Sequence, residues 1–335
     1  MKVAVLGATG FTGEKLVEIL LSHPKAELVY LASRTLKPVA YSKLFPYFSK
    51  KTNLKCQPLN IEKAAVMSDF FFLSLPHTVS MEFVPYLLKK KKKVIDLSAD
   101  YRLKNTTVFK KYYKKTHKDK ANLKKAVYGL AEVNKTAIGK AKLVANPGCY
   151  PTSIILALFP LVKDSIIKGK IVVDSKSSIT GAGRKIALQQ KDQISNNLWA
   201  YKPFIHQHSP ETVSILKEKT SKKIDLCFQP HVIDVESGIY STIYLNLGKK
   251  VTVKKIKSIY KKYYQGSPFI KIKDSFPKLK DVAGTNFCHI GFALSADQKQ
   301  LIVVCAIDNL IKGAAGSAVQ NMNIMSGFKE SLGLL

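Results

Sequence analysis

The sequence predicts an α/β fold in which an N-terminal doubly wound Rossmann domain precedes a second, mixed α+β catalytic and dimerisation domain. Three observations carry this expectation. A valine-rich strand runs into a glycine turn and a helix at the start of the chain, apolar runs then alternate with helical patterns, and β-rich stretches fill most of the second half. At 335 residues the chain exceeds the usual ceiling for one core, so two domains of roughly 150 residues each are expected. The expected boundaries are 1–146, joined by a returning helix over about 312–335, for the NADP-binding domain, and 147–311 for catalysis and oligomerisation.

Residues 1–6 read as a short buried strand and lead into Gly7-Ala8-Thr9-Gly10-Phe11-Thr12-Gly13 and a helical pattern over 14–21. Glycines let the backbone approach a pyrophosphate, and the following helix aims its positive end and N–H groups at it. A glycine repeat alone is weak. Between a strand and a helix it predicts a dinucleotide cradle, with Gly7, Thr9, Gly10, Phe11, Thr12 and Gly13 as cofactor-binding residues. A second strand over 27–32 ends at Ser33-Arg34, where an NAD-binding chain usually carries an acid for the ribose hydroxyls. A hydroxyl beside an arginine suits a 2′-phosphate instead, so NADP(H) is preferred. Strands over 69–75 and 93–97, separated by a helical stretch over 79–90, continue the alternation of a parallel sheet. Their C-terminal ends should face the ligand, which places Pro76, His77 and the segment from Ser98 to Arg102 there. His77 itself reads as a hydrogen-bonded turn residue.

Residues 143–145 read as one more strand, ending in Asn146-Pro147-Gly148-Cys149-Tyr150-Pro151-Thr152 before an apolar helix over 153–162. Cys149 thus sits at a helix start, where free N–H groups and the helix dipole favour thiolate, the form that attacks carbonyls. The same N–H groups could stabilise the resulting oxyanion. A thiol that does acyl chemistry wants a proton shuttle, and His206-Gln207-His208-Ser209-Pro210-Glu211 offers one. No third ligand cluster accompanies the two histidines, so acid/base work and substrate contact are favoured over a metal. Glu211 orients a histidine or lies in the first turn of the helix after Pro210. Between thiol and histidines, Ser177-Ser178-Ile179-Thr180-Gly181-Ala182-Gly183-Arg184 reads as a strand end turning through two glycines, with Gly181 close to a ligand and Arg184 able to grip phosphate or carboxylate. Strands over 227–233, 239–247, 287–294 and 301–308 complete a sheet of the kind that pairs subunits, and a small-residue helical run ends at Met325.

Composition narrows the classes. Hydrophobic residues make up 46% of the chain, fitting a globular protein, and no run approaches the ~20 apolar residues of a membrane span. The N-terminus is broken by glycines and lacks the pattern of a secretory signal, so cytoplasm is expected. Five widely spaced cysteines without a C-x-x-C pair indicate neither a disulfide scaffold nor structural zinc. The net charge of +31 raises nucleic acid as a partner, but lysines spread over the whole chain, and the densest run, 89–93, reads as a solvated turn. Nucleic acid is therefore not the expected partner. Of 54 positive residues only Arg34, Arg102 and Arg184 are arginines. A chain that keeps arginine so rarely keeps it where a planar five-donor fork is needed.

The blocks GATGFTGEKL, VIDLSADYRL (94–103), AVYGLAE (126–132), VANPGCYPT (144–152), SITGAGRK (178–185), HQHSPE (206–211) and IDNLIKGAAGSAVQNMN (307–323) closely resemble, in this order and nearly end to end, the N-acetyl-gamma-glutamyl-phosphate reductase family of the arginine pathway. Three positions depart from the family pattern. Ser153 stands where glycine or alanine is usual, Ala131 replaces the proline of YGLPE, and His289 takes the aspartate position of NFCDIG. The resemblance implies a fold similar to aspartate-semialdehyde dehydrogenase and NADPH-dependent reduction of N-acetyl-glutamyl 5-phosphate through a Cys149 thioester. It implies His208 as the acid/base and His206 as a substrate contact. Asn309 joins the cofactor-binding set, and Arg102, Asn146, Ser177, Arg184, Tyr201 and Glu211 form the substrate-binding set. Arg34 is expected on the cofactor phosphate. The expected partners are a small acyl phosphate and further copies of the chain, as a homodimer or homotetramer. The nearest rival is the same chemistry on an N-blocked aminoadipyl phosphate of lysine synthesis; a non-enzymatic nucleotide-binding or nucleic-acid-binding protein, which would need no catalytic thiol, is the more distant one.

Overall fold

The structure, a computed structural model, describes residues 1–33 and 37–335. The chain divides into two compact units, Met1–Pro147 with Ala314–Leu335, and Gly148–Gly313. Arg34 lies outside the described residues.

The first unit is built on an eight-stranded sheet. Its strands are β1 (Lys2–Leu6), β2 (Glu27–Ser33), β3 (Val39–Ala40), β4 (Lys55–Pro58), β5 (Phe70–Leu73), β6 (Lys93–Asp96), β7 (Val127–Tyr128) and β8 (Leu143–Ala145), in the order β3-β4-β2-β1-β5-β6-β8-β7. Every pairing is parallel except β3 with β4. From β1 the chain first builds outward through β2 and then, after crossing back, through β5 and β6 on the other side. The crevice between the two directions is where doubly wound sheets bind ligands. Helices cover both faces, so the central strands are apolar throughout: Phe70, Phe71, Phe72 and Leu73 are all fully buried. Helix α1 (Phe11–Leu21) follows the glycine turn, three residues earlier than the apolar pattern indicated, and α2 (Ser80–Lys89) links β5 to β6.

The C-terminal helix, Gly316–Met325, packs in this unit and is buried nearly all round. Its polar residues bond both backbone and side chains: Asn321 Nδ2 donates to Gly129 O (2.7 Å), and Asn323 Oδ1 meets the His23 ring at Nε2 (2.9 Å). Lys93 Nζ donates to Met325 O (2.6 Å).

The second unit carries a seven-stranded mixed sheet: β9 (Ile167–Ser178), β10 (Leu198–Ala200), β11 (Leu226–Ile233), β12 (Ile239–Leu247), β13 (Ile270–Ile272), β14 (Cys288–Leu294) and β15 (Gln300–Ile307), ordered β10-β11-β9-β12-β15-β14-β13. Helices α3 (Cys149–Lys163), α4 (His208–Thr220) and α5 (Val253–Tyr264) accompany it. One face of the sheet meets them: Ser153 Oγ lies 2.8 Å from Ser241 Oγ, Tyr260 stacks on Phe292, and Tyr150 meets Phe228 edge-on. Strand alternation turns Val172, Tyr240, Thr242, Tyr244 and Ile302 to the opposite face, where Val172 and Tyr244 are exposed and the other three are half-buried.

Candidate active site

In the first unit, Gly7 adopts φ +87°, and its N–H donates to Ala32 O (2.8 Å), folding the turn back over β2. A Cβ at Gly7 would lie 2.1 Å from Ser74 O, and one at Gly13 would lie 2.2 Å from Gly7 O. Only glycine therefore lets α1 sit directly on the turn. Gly10 is the N-cap and brings no capping side chain. Thr9 Oγ1 donates to Ser33 Oγ (3.2 Å), tying the turn to the end of β2, and Tyr41 Oη donates to Ala8 O (2.8 Å) from below. The strand, turn and helix thus form a close-approach surface of the kind a pyrophosphate needs.

At the C-terminal ends of β5 and β6, buried carboxylates organise the loops. Asp100 accepts from Thr78 N (2.6 Å) and Met81 N (3.0 Å), and Asp96 accepts from Ser98 N (3.0 Å) and Ser98 Oγ (2.8 Å). Burial, with the neighbouring Asp100 charge second, pushes the Asp96 carboxyl up to about 7. His77, one residue past Pro76, accepts from Ala99 N (3.1 Å), the turn role that its sequence context suggested. Arg102 is buried. Its Nε donates to Asn146 O (2.8 Å) and its Nη2 to Leu97 O (2.7 Å). Asn146 is further held by Asn321 Nδ2, which donates to its Oδ1 (3.0 Å), and by its own Nδ2 bond to Ala314 O (3.1 Å). This fork grips the backbone that leads to the nucleophile turn.

In the second unit Cys149 is the first residue of α3, with Gly148 as N-cap. The helix begins four residues before the apolar pattern because Pro151 falls in the first turn, where no N–H is required. The fully buried Glu211 carboxylate accepts the Gly148 N–H (2.8 Å) from the first turn of α4, which starts at His208 and not after Pro210. Glu211 thus fixes the thiol's own turn. The Tyr150 ring packs edge-on against His206 (5.5 Å) and His208 (5.9 Å), so the nucleophile turn and the HQHSPE block share one cluster.

His206 Nδ1 accepts the His208 N–H (3.1 Å), which leaves the ring hydrogen on Nε2, 3.4 Å from Tyr201 Oη. Burial, aided by Lys202, pulls the His206 imidazole down to about 3, so it stays neutral through the physiological range. Tyr201 Oη also donates to Tyr150 Oη (3.3 Å), and burial pushes Tyr201 up to about 12.

Ser177 is buried at the end of β9, and its Oγ donates to Ser178 O (3.1 Å). Gly181 is exposed, with Ser177 Oγ and Asn309 Nδ2 the nearest side-chain atoms to its ideal Cβ. Arg184 is half-buried and opens a short helix (Arg184–Gln189) after Gly183 at φ +90°. Asn309 is buried; its Oδ1 accepts from Gly238 N (2.6 Å) and its Nδ2 donates to Thr180 Oγ1 (3.0 Å).

Three features of this unit had no role assigned to them from sequence. Beneath the thiol helix, Ser153, Ser241 and Ser175 form a hydroxyl chain, with Ser175 Oγ donating to Ser241 Oγ (2.7 Å). Asp308 gathers donors at the end of β15. His289, the departure from the family pattern, is buried with neither ring nitrogen hydrogen-bonded, and burial lowers its basicity. Ser153 and His289 carried a sequence signal as departures from the family pattern, and Asp308 carried none. Among the described residues no cluster of three or more His, Cys, Asp or Glu is arranged to hold a metal ion.

A family model described as the semialdehyde dehydrogenase NAD binding domain matches residues 2–141, and one described as the semialdehyde dehydrogenase dimerisation domain matches residues 149–309. Over all of this chain, a protein of Desulfotalea psychrophila is 42% identical and one of Campylobacter jejuni (strain RM1221) 43% identical, each covered to 98% of its own length and each named N-acetyl-gamma-glutamyl-phosphate reductase. The chain belongs to the N-acetyl-gamma-glutamyl-phosphate reductase family. Its fold is that of solved aspartate semialdehyde dehydrogenases. The Vibrio cholerae enzyme II complexed with ASA superposes with a TM-score of 0.74 at 18% identity, over 97% of this chain and 98% of that one. The Candida albicans enzyme with NADP gives 0.72 at 18%, over the same shares. Family membership makes the chain an oxidoreductase with a nicotinamide-nucleotide-binding domain.

Proposed function

We propose that the chain reduces N-acetyl-L-glutamyl 5-phosphate to N-acetyl-L-glutamate 5-semialdehyde and phosphate with NADPH, in the cytoplasm, as a step of arginine biosynthesis. The observation that carries this reading is Cys149 at the first position of α3, its turn fastened by Glu211 and its neighbour Tyr150 packed on the HQHSPE histidines. The first unit takes NADPH, and the glycine turn fits it. The cradle residues are Gly7, Thr9, Gly10, Phe11, Thr12 and Gly13, with Ser33 and Arg34 for the 2′-phosphate and Pro76, Gly181 and Asn309 completing the set. The second unit supplies the thiol and pairs subunits.

The Cys149 thiolate attacks the acyl carbon, the C–O bond to phosphate breaks, and phosphate leaves a thioester on the sulfur. NADPH, when bound, would supply the hydride to the thioester carbon, after which the C–S bond breaks, the aldehyde leaves and Cys149 returns as the thiolate. The N–H groups at the start of α3 bear the negative charge that develops on the carbonyl oxygen at each stage. His208 moves the proton. His206, which burial keeps neutral, fixes His208 through the backbone and presents Nε2–H to Tyr201. Arg184, Ser177 and Tyr201 meet the substrate's anionic groups, whereas Arg102 and Asn146 act by setting the path of the chain into Pro147. A reducing compartment keeps such a thiol free.

The deciding assay runs in reverse: phosphate-dependent reduction of NADP by N-acetylglutamate semialdehyde, compared with NAD and with the one-carbon-longer aminoadipate semialdehyde. Turnover should require phosphate, prefer NADP and the shorter aldehyde, and vanish in Cys149→Ser with NADPH binding intact. Preference for the longer substrate, or turnover without the thiol, would overturn the assignment.

A further inference from the structure

We propose that Asp308 is a positioning residue for Cys149, acting through the glycine at 313. The proposal rests on the reading of Cys149 as the nucleophile.

Asp308 stands one residue beyond β15, buried, and both of its carboxylate oxygens are occupied. Oδ1 accepts from Leu310 N (2.8 Å) and Ile311 N (3.0 Å); Oδ2 accepts from Ser237 Oγ (2.8 Å) and Gly284 N (2.8 Å). Its backbone carbonyl takes a fifth donor, Gly313 N (2.8 Å). One residue therefore dictates the course of the segment 308–313, and through Ser237 and Gly284 anchors it to two other loops. A neutral amide could not replace the carboxylate, since it would turn two hydrogens toward groups that are themselves donors.

The segment so held ends against the nucleophile. A Cβ built on Gly313 would lie 2.9 Å from Cys149 Cβ and 3.3 Å from Cys149 Cα. Gly313 is not among the glycines with positive φ, so its glycine is required for space and not for backbone conformation. The backbone at 313 is the wall on which Cys149 rests, and Asp308 sets where that wall stands. The adjoining Asn309 links the same knot to the glycine loop, through Gly238 N and Thr180 Oγ1. A small displacement of a reacting group costs on the order of 10²-fold in rate, so a carboxylate that never touches the substrate can govern turnover.

The test compares Asp308→Asn, which disturbs the anchor, with Gly313→Ala, which leaves the anchor intact and moves the wall. Each variant is checked for folding by circular dichroism and for NADPH affinity by fluorescence titration. The rate of Cys149 alkylation by iodoacetamide is then followed against pH, beside kcat and KM. Both variants should fold, bind NADPH within about twofold of the parent, and show kcat lowered by about 10²-fold. Cys149 alkylation should be slowed, with its pH profile displaced, and KM should change little. A folded Asp308→Asn protein with the parent's alkylation profile and kcat overturns the proposal. Should Asp308→Asn fail to fold, Gly313→Ala decides: parental alkylation and kcat in that variant overturn the proposal equally. Alkylation does not depend on the substrate. Slowed alkylation in the variants together with no acyl-phosphate chemistry in the parent would sink the functional assignment and leave the positioning role standing.

Discussion

His206 shows how one residue's surroundings choose its task. It has the reactive group of an acid/base catalyst, but only 3% of it is exposed, its Nδ1 is engaged by a backbone N–H, and its imidazole is held at about 3. In the unfolded chain the same ring titrates near 6.5, so below that pH the unfolded state takes up a proton that the folded state refuses. The resulting stability is complete above pH 6.5 and is lost as pH falls toward 3. Between pH 7 and 5 this single ring should cost about 2 kcal/mol. His206→Asn should flatten the fall of the urea midpoint between pH 7.5 and 5.0, and an unchanged slope would contradict the burial argument. Arg102 teaches a related lesson. The rarity of arginine marked Arg102 for a substrate's anionic group, and in the fold its Nε and Nη2 donate to the carbonyls of Asn146 and Leu97. Composition says that a fork is needed; only the folded chain says for what.

Among the elements, the strand, glycine turn and helix at the N-terminus were legible because each depends on neighbours in sequence. Gly13 is dictated by its contact with Gly7 O, six residues away, whereas the Ser74 O contact that dictates Gly7 comes from beyond β5 and carried no local signal. Gly13→Ala drives its methyl into Gly7 O and must lift α1 off the turn; NADPH affinity should fall at least about tenfold, read by fluorescence titration, and parental affinity would contradict the cradle. Four strands of the second sheet were also legible as β-rich stretches, whereas of β9 only the end at Ser177 was read, and β10 and β13, three residues each, are too short to display a period. The start of α3 was misplaced because prolines at a helix entrance look like a turn. Asp308 was missed for another reason: two of its partners, Ser237 and Gly284, are distant in sequence, and a lone aspartate at a strand end carries no spacing that foretells them.

At the scale of the whole molecule, the net charge of +31 said little, since its lysines are dispersed, whereas the alternation of the second sheet says more. The face turned away from Ser241, Phe228 and Phe292 exposes Val172 and Tyr244 on the paired strands β9 and β12, with Tyr240 and Ile302 beside them. The residues 149–309 match a dimerisation domain, which makes this face the expected seat of a second copy of the chain. Tyr244→Asp, directed outward from the sheet, should shift sedimentation velocity profiles toward monomer without unfolding the chain; a parental profile would place the interface elsewhere.

The C-terminal helix has a consequence for biosynthesis. Asn321 is bonded to Gly129 and Asn146, Asn323 to His23, and the carbonyl of Met325 to Lys93, so residues 1–147 have their packing closed by a helix made more than 160 residues later. A nascent chain emerging from the ribosome can assemble the thiol-bearing unit while the nucleotide-binding one still waits for its final helix. Until residues 316–325 have been made, the apolar surface which that helix covers is left for chaperones to guard.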